Sequence, residues 1–195
     1  MDIILASASP RRSELLKQLG IGFKVFPSNI EENIDEMLGP EELVQNLSYS
    51  KAFNVAEGLK NGLFANDTLV IGADTVVVKG HVLGKPRDES EAFRMLKTLQ
   101  NGWHEVITGL TLVHIPSFSS ITGYEKTWVK IRSMSDDMIY AYVKTGEPMD
   151  KAGAYGIQGM GALLVERIEG CYFNVVGLPL MKLGTMLGEY GVKIL

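Results

Sequence analysis

Thr68-Leu69-Val70-Ile71-Gly72-Ala73-Asp74-Thr75-Val76-Val77-Val78 is the stretch on which the fold turns. Its first half is apolar and uncharged, the pattern of a buried strand, and it runs out on Asp74-Thr75 before Val76, Val77 and Val78 continue it. Lys79-Gly80-His81 then reads as a hairpin turn into Val82-Leu83-Gly84-Lys85-Pro86. Upstream, Asp2-Ile3-Ile4-Leu5-Ala6 is a second short buried strand and Phe23-Lys24-Val25-Phe26 a third. Between them an amphipathic helix runs through Leu15, Leu16 and Leu19 to a stop at Gly20, with Ser9 as its N-cap and Pro10 at its first position. A longer helix is predicted from near Pro40 to about Lys60. Downstream, Asp88 and Glu91 form a capping box for a helix that buries Phe93, Leu96 and Leu99. Long strands are expected at about 104–114 and 123–132, and a helix capped by Ser135 runs to Gly146. A strand at 162–168, a helix near 178–190 and a terminal strand complete the chain. Strands, hairpins and helices in this mixture imply an α/β fold with a mixed sheet.

Within that frame, several charges sit where local structure does not want them. Arg11 and Arg12 fall in the first turn of their helix, where unpaired N–H groups already create positive potential. An anion at that strand–turn–helix corner reverses the cost, because the guanidinium forks, the N–H groups and the dipole then all face it. Solvent exposure of both arginines is the plainer alternative. Lys51 stands in line with Val44, Leu47, Val55 and Leu59 on the apolar stripe of the long helix. It either snorkels outward or points into a polar cleft. Asp74 lies where an apolar strand gives out, a common place for a catalytic or metal-binding carboxylate, although an Asx turn is the competing use. Gly84-Lys85-Pro86 sets a cation at a rigid bend. Gly153, Gly156, Gly159 and Gly161 interrupt the stretch from Glu147 to Gly161, which is neither a good helix nor a good strand. Gln158 lies among them, and its amide could read a base edge.

The bulk properties narrow the chemistry. With 195 residues, 46% of them hydrophobic and 22% charged, the chain can bury a sizeable core, and a single domain over 1–195 is expected. A net charge of −4 argues against a broad nucleic-acid surface but not against a small anionic ligand. Cys171 is alone, and His81, His104 and His114 lack metal-ligand spacing. No run approaches the roughly 20 apolar residues of a membrane span. The start carries neither a basic n-region nor a cleavage motif, so no signal peptide is expected and the cytoplasm is the expected location. There is no P-loop, no GxGxxG after a strand and no Ser/His/Asp order. What remains is five cations at turns or on odd helix faces (Arg11, Arg12, Lys51, Lys85, Lys151) and two acidic positions, Glu32 and Asp74. Carboxylates with Mg²⁺ and surrounding cations are the recurrent equipment of phosphoryl chemistry.

Five blocks, in order, resemble the Maf family of nucleoside triphosphate pyrophosphatases, also called septum-formation inhibitors. They are Leu5-Ala6-Ser7-Ala8-Ser9-Pro10-Arg11-Arg12, Gly72-Ala73-Asp74-Thr75, Gly84-Lys85-Pro86, the run from Asp150 to Gly159, and Asn174-Val175-Val176-Gly177-Leu178-Pro179. The resemblance implies an elongated mixed sheet flanked by helices, with two lobes around a deep cleft as in inosine triphosphate pyrophosphatases. It also implies hydrolysis of a nucleoside triphosphate to monophosphate and pyrophosphate with Mg²⁺ or Mn²⁺. Arg11, Thr75 and Gln158 match the subgroup acting on dTTP and UTP. Asp74 would be the proton acceptor for attack on the α-phosphorus, with Arg12, Lys51 and Lys85 neutralising the triphosphate. Ser7, Ser9 and the helix N-terminus would hold phosphate oxygens, and Lys151 would add a cation. Glu32, favoured over its neighbour Glu31, would bind metal with Asp74. A homodimer is the family's common state. A nucleotide-binding division regulator without turnover, and a phosphatase releasing orthophosphate, are the rival readings.

Overall fold

The two apolar runs at 2–5 and 68–79 become neighbouring parallel strands, and the rest of the sheet grows from that pair. The computed structural model describes residues 1–30 and 37–195. In chain order its elements are β1 (Asp2–Leu5), α1 (Pro10–Gln18), β2 (Lys24–Val25), α2 (Pro40–Leu59), β3 (Thr68–Lys79), β4 (His81–Leu83), α3 (Glu89–Leu99), β5 (Gly102–Ile115), β6 (Ser120–Ile131), α4 (Asp136–Val143), β7 (Val165–Glu169), α5 (Tyr172–Val176) and α6 (Leu180–Glu189). The strands form one mixed sheet in the order β2-β1-β3-β5-β6-β7, with β4 paired to β3. β1 is parallel to both β2 and β3, whereas β3–β4 and β6–β7 are antiparallel.

Two units are distinguishable: Met1–Asp74 with Thr108–Glu125 and Gly177–Leu195, and Thr75–Ile107 with Lys126–Val176. In the first, the chain leaves β1 for β2 on one side and then returns to β3 on the other. That reversal makes the carboxyl end of β1, beside the middle of β3, a topological switch point, the place where open α/β sheets bind ligands. Leu5 pairs with Ile71, so Ser7 and Asp74 both lie just beyond the paired ends. Ile4, Ala6, Ala52, Val55, Ala56, Val70, Val113 and Ile115 pack as a buried cluster of this unit. α2 presses closely on the sheet at Gly72, where a Cβ would stand 2.2 Å from the Ser48 carbonyl and 2.8 Å from the Ala52 Cβ. Only a residue without a side chain allows that approach.

The second unit has its own core. Leu96 and Leu99 of α3, Val106, Val129 and Ile131 of the sheet, and Ile139 and Tyr142 of α4 pack together with Tyr155. α3 and α4 start as their caps dictate, since Asp88 accepts from the Glu91 N–H at 2.7 Å and Ser135 from the Met138 N–H at 3.3 Å. The capping box is only half made. The Glu91 carboxylate turns to Arg87, taking its backbone N–H at 2.7 Å and its guanidinium at 2.9 Å.

Three further expectations need correction. Ser9 occupies the N-cap of α1, but its side chain makes no capping bond. Instead its own N–H donates to Ser7 Oγ at 3.2 Å. β3 does not end on Asp74; it continues through it to Lys79. The terminal strand is absent because the N–H groups of Gly191 and Val192 fold back to the carbonyls of Gly188 and Leu187, with Gly191 at φ +78°. This Schellman closure satisfies the end of α6 and leaves the tail outside the sheet.

Candidate active site

The strongest arrangement lies in the first unit and is built by α1, α2 and β3. Lys51 is set on the buried stripe of α2 and is 9% exposed, while Asp74 of β3 is 6% exposed. Lys51 Nζ lies 2.6 Å from Asp74 Oδ1. This resolves both readings left open by sequence: Lys51 does not snorkel, and Asp74, inside a strand, does not cap a turn. A buried ion pair of this kind costs desolvation of both partners, so it is weak evidence for stability. It is a natural device for fixing a carboxylate in one orientation within a strand.

The loop from β1 into α1 supplies the second part. Ser7 is buried, and its Oγ accepts from Arg12 Nη1 at 3.1 Å. Arg12 Nε donates to the Gly177 carbonyl at 2.8 Å. The side chain is therefore held at two points rather than turned into solvent, and a chain segment 165 positions away positions it. α1 has no acidic residue in its first turn, so the dipole and both arginines keep the same sign there. Arg11 is half-buried in that turn.

The remaining candidates belong to the second unit. Lys85 is exposed on the bend after β4, and the carbonyl of Gly84 accepts from the Gly153 N–H at 3.0 Å, tying that bend to the glycine-rich segment. That segment is ordered as three short 3₁₀ turns, at Glu147–Asp150, Ala152–Ala154 and Gly159–Leu163. Lys151 turns back on its own loop, donating to the Glu147 carbonyl at 2.5 Å and the Asp150 carboxylate at 2.7 Å. Gln158 is half-buried and precedes the third turn without a side-chain capping bond. Thr75 is half-buried in β3. Glu31 and Glu32 lie outside the described residues. Among the described residues, no three of His, Cys, Asp and Glu gather into a metal-binding group.

Sequence reasoning gave several well-anchored groups no role. The Gly177 carbonyl could not be found from sequence, since a backbone acceptor leaves no residue-type signal. Asn174 is fully buried in the five-residue α5, its amide donating to the Val106 carbonyl and Thr127 Oγ1, both at 2.9 Å. Glu147 was visible only as the start of an unusual stretch. Its carboxylate is pushed up by partial burial, but the N–H of Gly161, the Tyr142 hydroxyl, the N–H of Met160 and Lys151 together hold it below the usual range. His104 and Tyr155 form another buried pair, with Nε2 and the hydroxyl 2.6 Å apart.

Known proteins are similar to this chain over nearly its whole length. The family profile described as "Maf-like protein" matches residues 2–190. The dTTP/UTP pyrophosphatase of Acetivibrio thermocellus is 56% identical, covering 100% of this chain and 98% of that protein. Those of Caldicellulosiruptor saccharolyticus (99% and 96% covered) and Thermoanaerobacter sp. (100% of both) are 50% and 51% identical. The solved Staphylococcus aureus Ham1 protein aligns over 83% of this chain and 78% of that one, at 14% identity and a TM-score of 0.41.

Proposed function

This chain belongs to the Maf family, and we propose that it hydrolyses dTTP and UTP to the nucleoside monophosphate and pyrophosphate. The observation that carries the reading is the buried Lys51–Asp74 pair at the switch point of the sheet, beside a helix N-terminus that holds Arg12 over Ser7. Relatives about half identical over their full length carry that activity in their names. No helix among the described residues is long and apolar enough to cross a membrane.

In the mechanism, Asp74 accepts the proton of the water that attacks the α-phosphorus. The α–β phosphoanhydride bond breaks, and pyrophosphate carries away the electron pair. Lys51 holds the carboxylate in place and, with Arg12 and Lys85, offsets charge on the triphosphate as it develops on the leaving group. Ser7, Ser9 and the N-terminus of α1 bind phosphate oxygens. Lys151 supports the phosphates from its loop. Arg11, Thr75 and Gln158 distinguish the pyrimidine, because a polar site rejects a base that leaves its groups unpaired.

A single buried carboxylate among the described residues suits Mg²⁺, which takes one or two carboxylates and completes its shell with substrate phosphates. Asp74, with Glu32 from outside the described residues, would hold Mg²⁺ or Mn²⁺. When bound, the ion neutralises phosphate charge.

A panel of nucleoside triphosphates, assayed with and without Mg²⁺ for pyrophosphate and orthophosphate, tests this reading. Stoichiometric pyrophosphate from dTTP and UTP is expected. Nucleotide binding without product would support a regulator instead, and orthophosphate release a phosphatase. The same panel run beside gel filtration tests the expected homodimer.

A further inference from the structure

The glycine-rich loop closes around one carboxylate that the reaction itself does not use. Glu147 Oε1 accepts from the Tyr142 hydroxyl at 2.9 Å and the Gly161 N–H at 3.0 Å, and Oε2 accepts from the Met160 N–H at 2.9 Å. The Tyr142 hydroxyl in turn accepts from the Gly156 N–H at 3.2 Å. The bonded positions therefore bracket Gln158 on both sides, two residues before it and two and three after.

The spacing of the glycines follows from this closure. A Cβ on Gly159 would stand 2.7 Å from Glu147 Oε2, and φ there is +65°. One on Gly161 would stand 2.2 Å from the Gly156 carbonyl oxygen, 2.6 Å from the Tyr142 hydroxyl and 3.0 Å from Glu147 Oε1. A side chain at Gly159 would displace the carboxylate, and one at Gly161 would first meet the Gly156 carbonyl, so both glycines keep the loop closed around Glu147. The main chain of the same residue takes the Lys151 ammonium.

We propose that Glu147 is the positioning residue for substrate selection: by taking the N–H groups that follow Gln158, and through the Tyr142 hydroxyl the one that precedes it, it sets the amide that reads the pyrimidine. The inference rests on the reading of Gln158 given above. A charged acceptor of three hydrogen bonds is hard to replace, because an amide at the same place turns two donors toward other donors.

The test is the ratio of kcat/KM for UTP over CTP, which differ at the pyrimidine edge. This ratio is independent of how much of a variant is folded, so a merely structural loss leaves it unmoved. Glu147→Gln is expected to lower the ratio about tenfold and Glu147→Ala further, chiefly through KM for UTP. The pair Glu147→Gln/Gln158→Ala is expected to fall no lower than Gln158→Ala alone, since both changes remove one function. If Gln158→Ala lowers the ratio and Glu147→Gln leaves it at the wild-type value, the positioning role is overturned while base reading by Gln158 stands. If Gln158→Ala leaves the ratio unchanged, base reading by Gln158 fails, and the role of Glu147 falls with it.

Discussion

Lys51 and Asp74 meet at 2.6 Å although 23 positions separate them and each arrives on a different kind of element. Lys51 rides the buried stripe of α2, and Asp74 follows the apolar run of β3 past its pairing with β1. Gly72 makes the meeting possible, since any side chain there would push α2 away. Two charges are thus buried side by side within the unit's core elements, where stability alone would favour two apolar residues.

Asp74→Asn keeps the shape and removes the base. Turnover of UTP is expected to drop by at least about 10²-fold while nucleotide affinity stays near the wild-type value. Pre-steady-state kinetics with a fluorescent nucleotide separates the two quantities. Near-normal turnover would take the proton-acceptor role away from Asp74.

Lys51→Met tests the pair as structure. It leaves the Asp74 carboxylate buried without its cation, which is expected to cost about 3–5 kcal/mol in denaturant unfolding. Adding Asp74→Asn to the same variant is expected to return most of that stability while activity remains lost. Additive losses in the double variant would mean that the two side chains do not depend on each other.

His104 supplies a pH dependence. Burial first, and the nearby charge of Lys79 second, depress its imidazole to about 4. The unfolded chain therefore takes up this proton before the folded one does. The contribution to stability is complete above the ordinary histidine value, about 6.5, and is lost as pH falls from there toward 4. From about pH 7.5 to about pH 5 the loss is expected to be on the order of 2 kcal/mol. His104→Phe is expected to flatten that slope, whatever it does to absolute stability through the Tyr155 hydroxyl. Urea titrations of both proteins at the two pH values give the comparison, and parallel slopes would exclude His104 as their source.

The sequence by itself determined the elements. Apolar runs fixed β1 and β3, the stripe from Val44 to Leu59 fixed α2, and Asp88 and Ser135 fixed the starts of α3 and α4, because periodicity and capping are local and act within a few residues. It also marked Arg12, Lys51 and Asp74 as misfits, since a charge on an apolar stripe or in the wrong helix turn shows without knowing its partner. α5, five residues long, is too short for periodicity to register, and the final residues read as a strand although hydrogen bonds to α6 had claimed their N–H groups.

Tertiary structure alone decided the pairings. That Lys51 turns to Asp74, that Arg12 reaches the Gly177 carbonyl, and that Glu147 takes the N–H groups that follow Gln158 depend on segments brought together by sheet order and helix packing. A backbone carbonyl or N–H has the same chemistry at every position, so no residue pattern announces which one a side chain will find. Only the return of the chain, fixed by burial of the core, selects it.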